Sequence, residues 1–174
     1  MTTWRMQVVS NTSPVLNLAI IGRLELLRDQ FGQVAIPAGV WDELRADEPL
    51  PGSRAVASAM TEGWLRVVSV HNKSLATALR VDLDTGEAEA IALAVELDAE
   101  LVLLDEREAR QRAKDLGLTV TGALGVLLRA KLRKAIPSLE HEVNALRTLA
   151  GFRIHDQLVE TLLHDAGERP RGLR

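Results

Sequence analysis

The sequence predicts an α/β layered fold with a doubly wound, mostly parallel sheet, and three observations carry that reading. Short apolar, β-like runs alternate with amphipathic helical stretches along nearly the whole chain. One run, Leu101-Val102-Leu103-Leu104, is continuously apolar, as suits a strand buried on both faces of a parallel sheet. At 174 residues, with 47% hydrophobic and 26% charged residues, the chain has the size and composition of one domain with a substantial core.

The elements follow in order. Met6 to Ser10 reads as a first strand, and Asn11-Thr12-Ser13-Pro14 has helix-start chemistry, with Ser13 as N-cap and Pro14 at the first helical position. Val15, Leu16, Leu18 and Ala19, then Leu24, Leu26 and Leu27, supply helical apolar faces around Gly22. Gln33 to Ile36 is a second strand, and Ala38 to Arg45 a helix with Val40, Trp41 and Leu44 turned inward. Two prolines and a glycine mark 48–53 as a loop before a helix from Arg54 to Glu62 and a strand from Leu65 to Val70. Leu75 to Leu79 is helical, and Asp84-Thr85-Gly86-Glu87 opens a strong helix carrying Ala88, Ile91, Ala92, Ala94 and Val95. The apolar tetrad ends at Asp105. A charged helix covers 106–116, Leu118 to Val120 is a short strand, and Thr121-Gly122 caps a helix to Lys134. Terminal helices at about 137–148 and 155–166 pack on this single domain, and a short basic tail follows.

Composition excludes several classes of chemistry. There is no cysteine, hence no disulfide scaffold, thiolate zinc site or cysteine nucleophile, and a reducing compartment, the cytoplasm, is expected. No apolar run is long enough to span a membrane and the N-terminus lacks a signal peptide's apolar stretch, so a soluble protein without membrane partners is expected. A net charge of −3 argues against a generic cationic nucleic-acid binder. That average conceals an asymmetry. Residues 81–106 hold nine acids and no Lys or Arg, whereas residues 107–134 hold eight bases against two acids.

In open α/β sheets ligands bind beyond the carboxyl ends of the strands. Asn11 follows the first strand and Asp105 the apolar tetrad, while Glu43 and Glu87 lie on helices whose connections return to that edge. Taken singly, each has a plain role: Asn11 as a turn residue, Glu43 as a solvated helix flank, Glu87 as a first-turn acid, Asp105 as the N-cap of the helix after it. Taken together, acids brought to one edge repel unless a cation is present, and hard oxygen ligands suit Mg²⁺ or Mn²⁺.

The strings VVSNTSPVLNLAIIGRLELL, IPAGVWDEL, DTGEAEAIALAVELDAELVLLDEREARQRAKDLGLTVTGALGVLLRAK and GFRIHDQLVETLLHDAGE, in this order over nearly the whole chain, resemble the PIN-domain nucleases. The nearer resemblance is to the small bacterial and archaeal PIN-like branch that includes toxins of toxin–antitoxin pairs. It implies a Rossmann-like three-layer α/β/α sandwich whose carboxylates bind one or two divalent ions and hydrolyse RNA phosphodiesters by metal-assisted attack of water. A small antitoxin partner and a homodimer are likewise implied.

Residue by residue, the resemblance places the four acidic positions at Asn11, Glu43, Glu87 and Asp105, as metal ligands and catalytic groups. Glu87 stands 18 residues before Asp105, the spacing usual in the family, and Glu89 is the reserve for that position. Thr12 or Ser13 matches the hydroxyl that follows the first acid. Arg107 and Arg110 would meet RNA phosphate. The departure is Asn11, an amide where the family most often has a carboxylate. It removes one negative charge from the site and leaves open a catalytically weak or inactive PIN-like module that binds a protein or RNA.

Other readings lack their signatures. A dinucleotide-binding module needs a glycine-rich turn after the first strand, which Asn11-Thr12-Ser13-Pro14 does not supply. A phosphoacceptor receiver needs an acidic pair there and a late lysine. His141-Glu142 lacks the second histidine of a zinc protease helix.

Overall fold

The structure is a computed structural model and describes residues 7–170. Five strands, β1 (Val8–Ser10), β2 (Val34–Ile36), β3 (Leu65–Val67), β4 (Leu101–Leu103) and β5 (Val120–Thr121), form one sheet in the order β3-β2-β1-β4-β5. Every strand pair is parallel, with Val9 opposite Ala35 and Val102, so the expected mostly parallel sheet is wholly parallel among the described residues. Met6, read as the start of the first strand, and the basic tail beyond 170 lie outside the described residues.

Ten helices cover the two faces among the described residues. They are α1 (Thr12–Ile20), α2 (Glu25–Phe31), α3 (Ala38–Leu44), α4 (Ser53–Glu62), α5 (Lys73–Leu79), α6 (Thr85–Glu96), α7 (Arg107–Asp115), α8 (Ala123–Leu132), α9 (Leu139–Leu149) and α10 (Asp156–Asp165). The alternation of side chains along each strand builds two cores. Val8, Val34, Ile36 and Leu103 point into the larger, which α1, α2, α4, α8, α9 and α10 cover. Val9, Val102 and Leu104 point into the smaller, under α5, α6 and α7. This is the three-layer α/β/α sandwich. Helix α6 has Ala88, Ala90, Ile91, Ala92, Leu93 and Ala94 fully buried, because β1 and β4 lie on one side and α3, α5 and α7 on the others.

Local chemistry sets the element ends. The strand read from Leu65 to Val70 ends at Val67, the one read from Leu118 to Val120 is Val120–Thr121, and three local readings change. The N-cap of α1 is Asn11, not Ser13. The Asn11 N–H bonds to the Leu103 carbonyl (3.0 Å), which holds the chain in the sheet one residue longer and starts the helix at Thr12. Asp105 does not cap the helix after it, whose N-cap is Glu106; its carboxylate instead accepts the Ala123 N–H, at the start of α8 (2.8 Å). Trp41 is only partly buried, packed at the rim of the larger core while Val40 and Leu44 fill it. The strongest expected start holds: the Asp84 side chain accepts the Glu87 N–H (2.8 Å) and the Glu87 carboxylate accepts the Asp84 N–H (3.2 Å), a reciprocal capping box. The terminal helices pack on the larger core through Leu139, Val143, Leu146, Val159, Leu162 and Leu163. Among the described residues no helix is long and apolar enough to cross a membrane.

Candidate functional site

The order β3-β2-β1-β4-β5 places β1 and β4 side by side, and the connections leaving their carboxyl ends run to opposite faces of the sheet. A crevice at that edge is where an open α/β sheet holds its ligand. Asn11 and Asp105 stand at these two strand ends, and α3 and α6 bring Glu43 and Glu87 toward the same edge.

At the end of β1, Asn11 is 4% exposed, and its amide oxygen Oδ1 is buried without a hydrogen-bond partner. Leaving a buried acceptor unmade costs about 1–3 kcal/mol, so it is rare in a finished fold. The surroundings of that oxygen are specific. A Cβ placed on Gly86, in the first turn of α6, would lie 3.0 Å from Asn11 Oδ1 and 2.7 and 2.9 Å from the two oxygens of Glu43. The absence of a side chain at Gly86 therefore lets Asn11 and Glu43 bring three oxygens against the first turn of α6, closer than a Cβ would allow. Thr12 Oγ1 donates to Glu43 Oε2 (2.5 Å) and fixes that carboxylate from the start of α1.

Glu87, next to Gly86, is 7% exposed. Burial pushes its carboxyl above the ordinary glutamate range; the Asp84 N–H opposes the rise, and the nearby charges of Asp84, Glu106 and Glu43 add to it. Glu87 thus serves both the capping box and the acidic field around these oxygens. Glu89 is committed elsewhere: it accepts the Gly39 N–H at the start of α3 (2.8 Å) and pairs with Arg80 (3.0 Å).

Asp105, at the end of β4, occupies a different environment. Ser13 Oγ donates to its Oδ2 (2.9 Å), the Ala123 N–H to its Oδ1, and Asn17 Nδ2 supports Ser13 from one turn further along α1 (2.9 Å). Gly122 makes room for this: a Cβ there would sit 2.5 Å from Asp105 Oδ1. Burial raises the Asp105 carboxyl above its usual range, against the Ala123 N–H, the Ser13 and Asn17 side chains and the Arg110 charge, all of which lower it. Arg110 itself donates to the Leu104 carbonyl (2.8 Å), so it holds the end of β4. Arg107 is exposed at the start of α7 with no ion-pair partner among the described residues.

The structure thus brings Asn11 and Glu43 together, sets Glu87 beside them and ties Asp105 into a separate network. Among the described residues no group of three or more His, Asp or Glu side chains is arranged to hold a metal ion. The donors nonetheless suit a hard cation: an orphaned amide oxygen and an exposed carboxylate, brought together against a glycine. Sequence reasoning missed two residues here. Glu106 adds its charge to the Glu87 field, and only its place directly after Asp105 hinted at it. Gly86 left a signal as well, since a glycine in the first turn of a strong helix invites the question of what approaches it.

Fold and site define a class: Rossmann-like sandwiches that gather acidic and amide oxygens at the carboxyl edge of a parallel sheet. The chain belongs to the PIN-domain family, for DUF3368, a PIN domain, matches residues 7–168. PIN domains are in general nucleases and use divalent metal ions. A PilT N-terminus domain protein, SSO1118 of the hyperthermophilic archaeon Sulfolobus solfataricus P2, shares the fold with a TM-score of 0.54 at 21% identity, over 72% of this chain and 93% of that one. No curated protein matches.

Proposed function

We propose that the protein is a Mg²⁺- or Mn²⁺-dependent endoribonuclease, the toxin of a toxin–antitoxin pair. The observation that carries the metal site is the buried, unpartnered Oδ1 of Asn11 facing the Glu43 carboxylate across Gly86. RNA as substrate, a small antitoxin as partner and a homodimer follow from the family resemblance, and the cytoplasm as location from the cysteine-free composition.

Asn11 and Glu43 would hold the ion, with Glu87 beside them supplying negative charge. The chemistry such an ion supplies is neutralisation of phosphate charge and activation of water. Thr12 keeps Glu43 oriented. Asp105 sets the geometry of the edge by fastening the starts of α1 and α8 to the end of β4. Arg107, exposed and without an ion-pair partner among the described residues, would meet a phosphate of the strand.

A second reading, a catalytically weak or inactive PIN-like module that binds RNA or a protein, is favoured by one observation: both Asp105 oxygens are already engaged by protein donors. The two readings part on one assay. Cleavage of a labelled single-stranded RNA is followed with Mn²⁺ for the wild type, Asn11→Asp and Glu43→Gln. The nuclease reading expects Mn²⁺-dependent cleavage that rises in Asn11→Asp and is lost in Glu43→Gln. Equal traces in all three, or none in any, would favour the binding module.

A further inference from the structure

Beside Asp105 lies a cavity of about 680 Å³, a volume typical of sites for small ligands. Its lining is mixed. Ser13, Asp105 and Arg110 give it polar atoms, while Leu124, Phe152 and Leu162 give it apolar surface. Two of these residues belong to the Asp105 network, and Ser13 stands in the first turn of α1 beside Thr12, which holds Glu43.

The segment between α9 and α10 forms one wall. It leaves α9 through Gly151 in a left-handed conformation (φ 64°), and the Phe152 N–H returns to the Leu146 carbonyl (3.0 Å). That turn presents Phe152, partly buried against the larger core, to the cavity. Arg153 follows it, exposed, lining the same cavity and without an ion-pair partner among the described residues. Arg147 braces the segment by donating to the Ile154 carbonyl and to Asp156 (both 2.8 Å). An aromatic face, a free guanidinium and carboxylates able to accept base N–H groups are the combination that single-stranded RNA engages. An acidic side chain would use the guanidinium but offers no ring to stack on Phe152 and no N–H for the carboxylates.

We propose that this cavity seats one nucleotide of the RNA strand, its base stacked on Phe152 and its phosphate met by Arg153, next to the bond to be cut. The inference rests on the ribonuclease reading for its substrate, and it can be tested apart from cleavage. Anisotropy of labelled RNA octamers of A, C, G and U is measured in EDTA for the wild type, Phe152→Ala, Phe152→Trp, Arg153→Gln and Arg66→Gln. Arg66 is an exposed arginine on β3, at the opposite edge of the sheet, and serves as a charge-matched control. Thermal melting of each variant shows that it is folded at the assay temperature.

Phe152→Ala is expected to weaken binding roughly 5- to 150-fold, the range for loss of one stacked base, and Phe152→Trp to stay within about 3-fold of wild type. Arg153→Gln should weaken all four octamers alike and reduce the salt slope by about one, with no change in Arg66→Gln. Binding of the wild type that Phe152→Ala and Arg153→Gln leave within 2-fold would overturn the nucleotide seat, as would no octamer binding at all. Should these variants instead lose only the capture of an antitoxin, the cavity is a protein-docking site and the proposal falls. Phe152-dependent binding by a protein that never cleaves RNA with Mn²⁺ would uphold the seat and overturn the ribonuclease reading.

Discussion

Asn11 after β1 and Asp105 after β4 end neighbouring parallel strands, each faces a glycine in the start of a helix, and the protein treats them in opposite ways. Asp105 meets Ser13, Ala123 and the charge of Arg110, and Gly122 lets it approach without a clash. Asn11 accepts no hydrogen bond at Oδ1, although Gly86 allows the same kind of close approach and the Glu43 oxygens lie against the same glycine. In the first case glycine permits a protein–protein hydrogen bond. In the second it lets two side chains bring three oxygens together, one of them with no protein donor. A polar side chain at a strand end thus declares its role by whether the fold has completed its hydrogen bonds, not by its residue type.

The largest effect should fall on the satisfied side. Asp105→Ala removes the acceptor at the α8 N-terminus and leaves the Ser13 O–H without its acceptor, so stability by urea denaturation should drop by about 2–3 kcal/mol. Asp105→Asn, which keeps one acceptor, should lose less. If Asp105→Ala melts like the wild type, the contrast between the two strand ends is lost.

On the unsatisfied side, Gly86→Ala puts a Cβ within 2.7–3.0 Å of the Asn11 and Glu43 oxygens and pushes the flexible end of Glu43 away, while the helix itself favours alanine over glycine. The protein should stay folded while its apparent affinity for Mn²⁺, read from the shift in melting temperature, falls about 10- to 100-fold. An unchanged shift would mean that the oxygens against Gly86 are not where the ion sits.

Titration gives a subtler contrast. A carboxyl whose pKa in the fold lies above its unfolded value binds its proton more tightly when folded. It therefore favours folding below the ordinary carboxylate range, and that contribution disappears as pH rises through the raised value. Glu87 is such a group, raised first by burial. Glu87→Gln should hence be more stable than wild type at neutral pH without metal, and the advantage should vanish as the pH falls below the carboxylate range. Melting curves across that range check the sign. The smallest effect belongs to Asn11→Ala, within about 1 kcal/mol of wild type, because relief of the unmade buried acceptor offsets the packing lost with the amide.

Much of the fold was legible along the chain, because it depends on local signals. The Asp84–Glu87 capping box, the buried run at β4 and the break at Gly22 (φ 72°) all lie within a few consecutive residues. The site was legible only as far as local signals reach. Glu87 separates from Glu89 through the Gly39 N–H and Arg80, and Ser13 serves Asp105 instead of its own helix. Asp105 caps a helix that starts 18 residues later across the sheet edge. No window of sequence holds such partners, since the sheet order alone makes them neighbours. The orphaned oxygen of Asn11 belongs to the same class: it is an absence, visible only once every neighbour has been placed.

The central claim is that Asn11 and Glu43 form a cation site over Gly86, and a Mn²⁺ titration of melting temperature tests it most directly. Wild type, Asn11→Asp and Glu43→Gln are compared at neutral pH up to millimolar metal, since a ligand of the native state must stabilise it. The account predicts a rise for the wild type, a larger rise at lower metal for Asn11→Asp, and a flat response for Glu43→Gln. A wild-type melting temperature that ignores Mn²⁺, or the same rise in all three proteins, would contradict it.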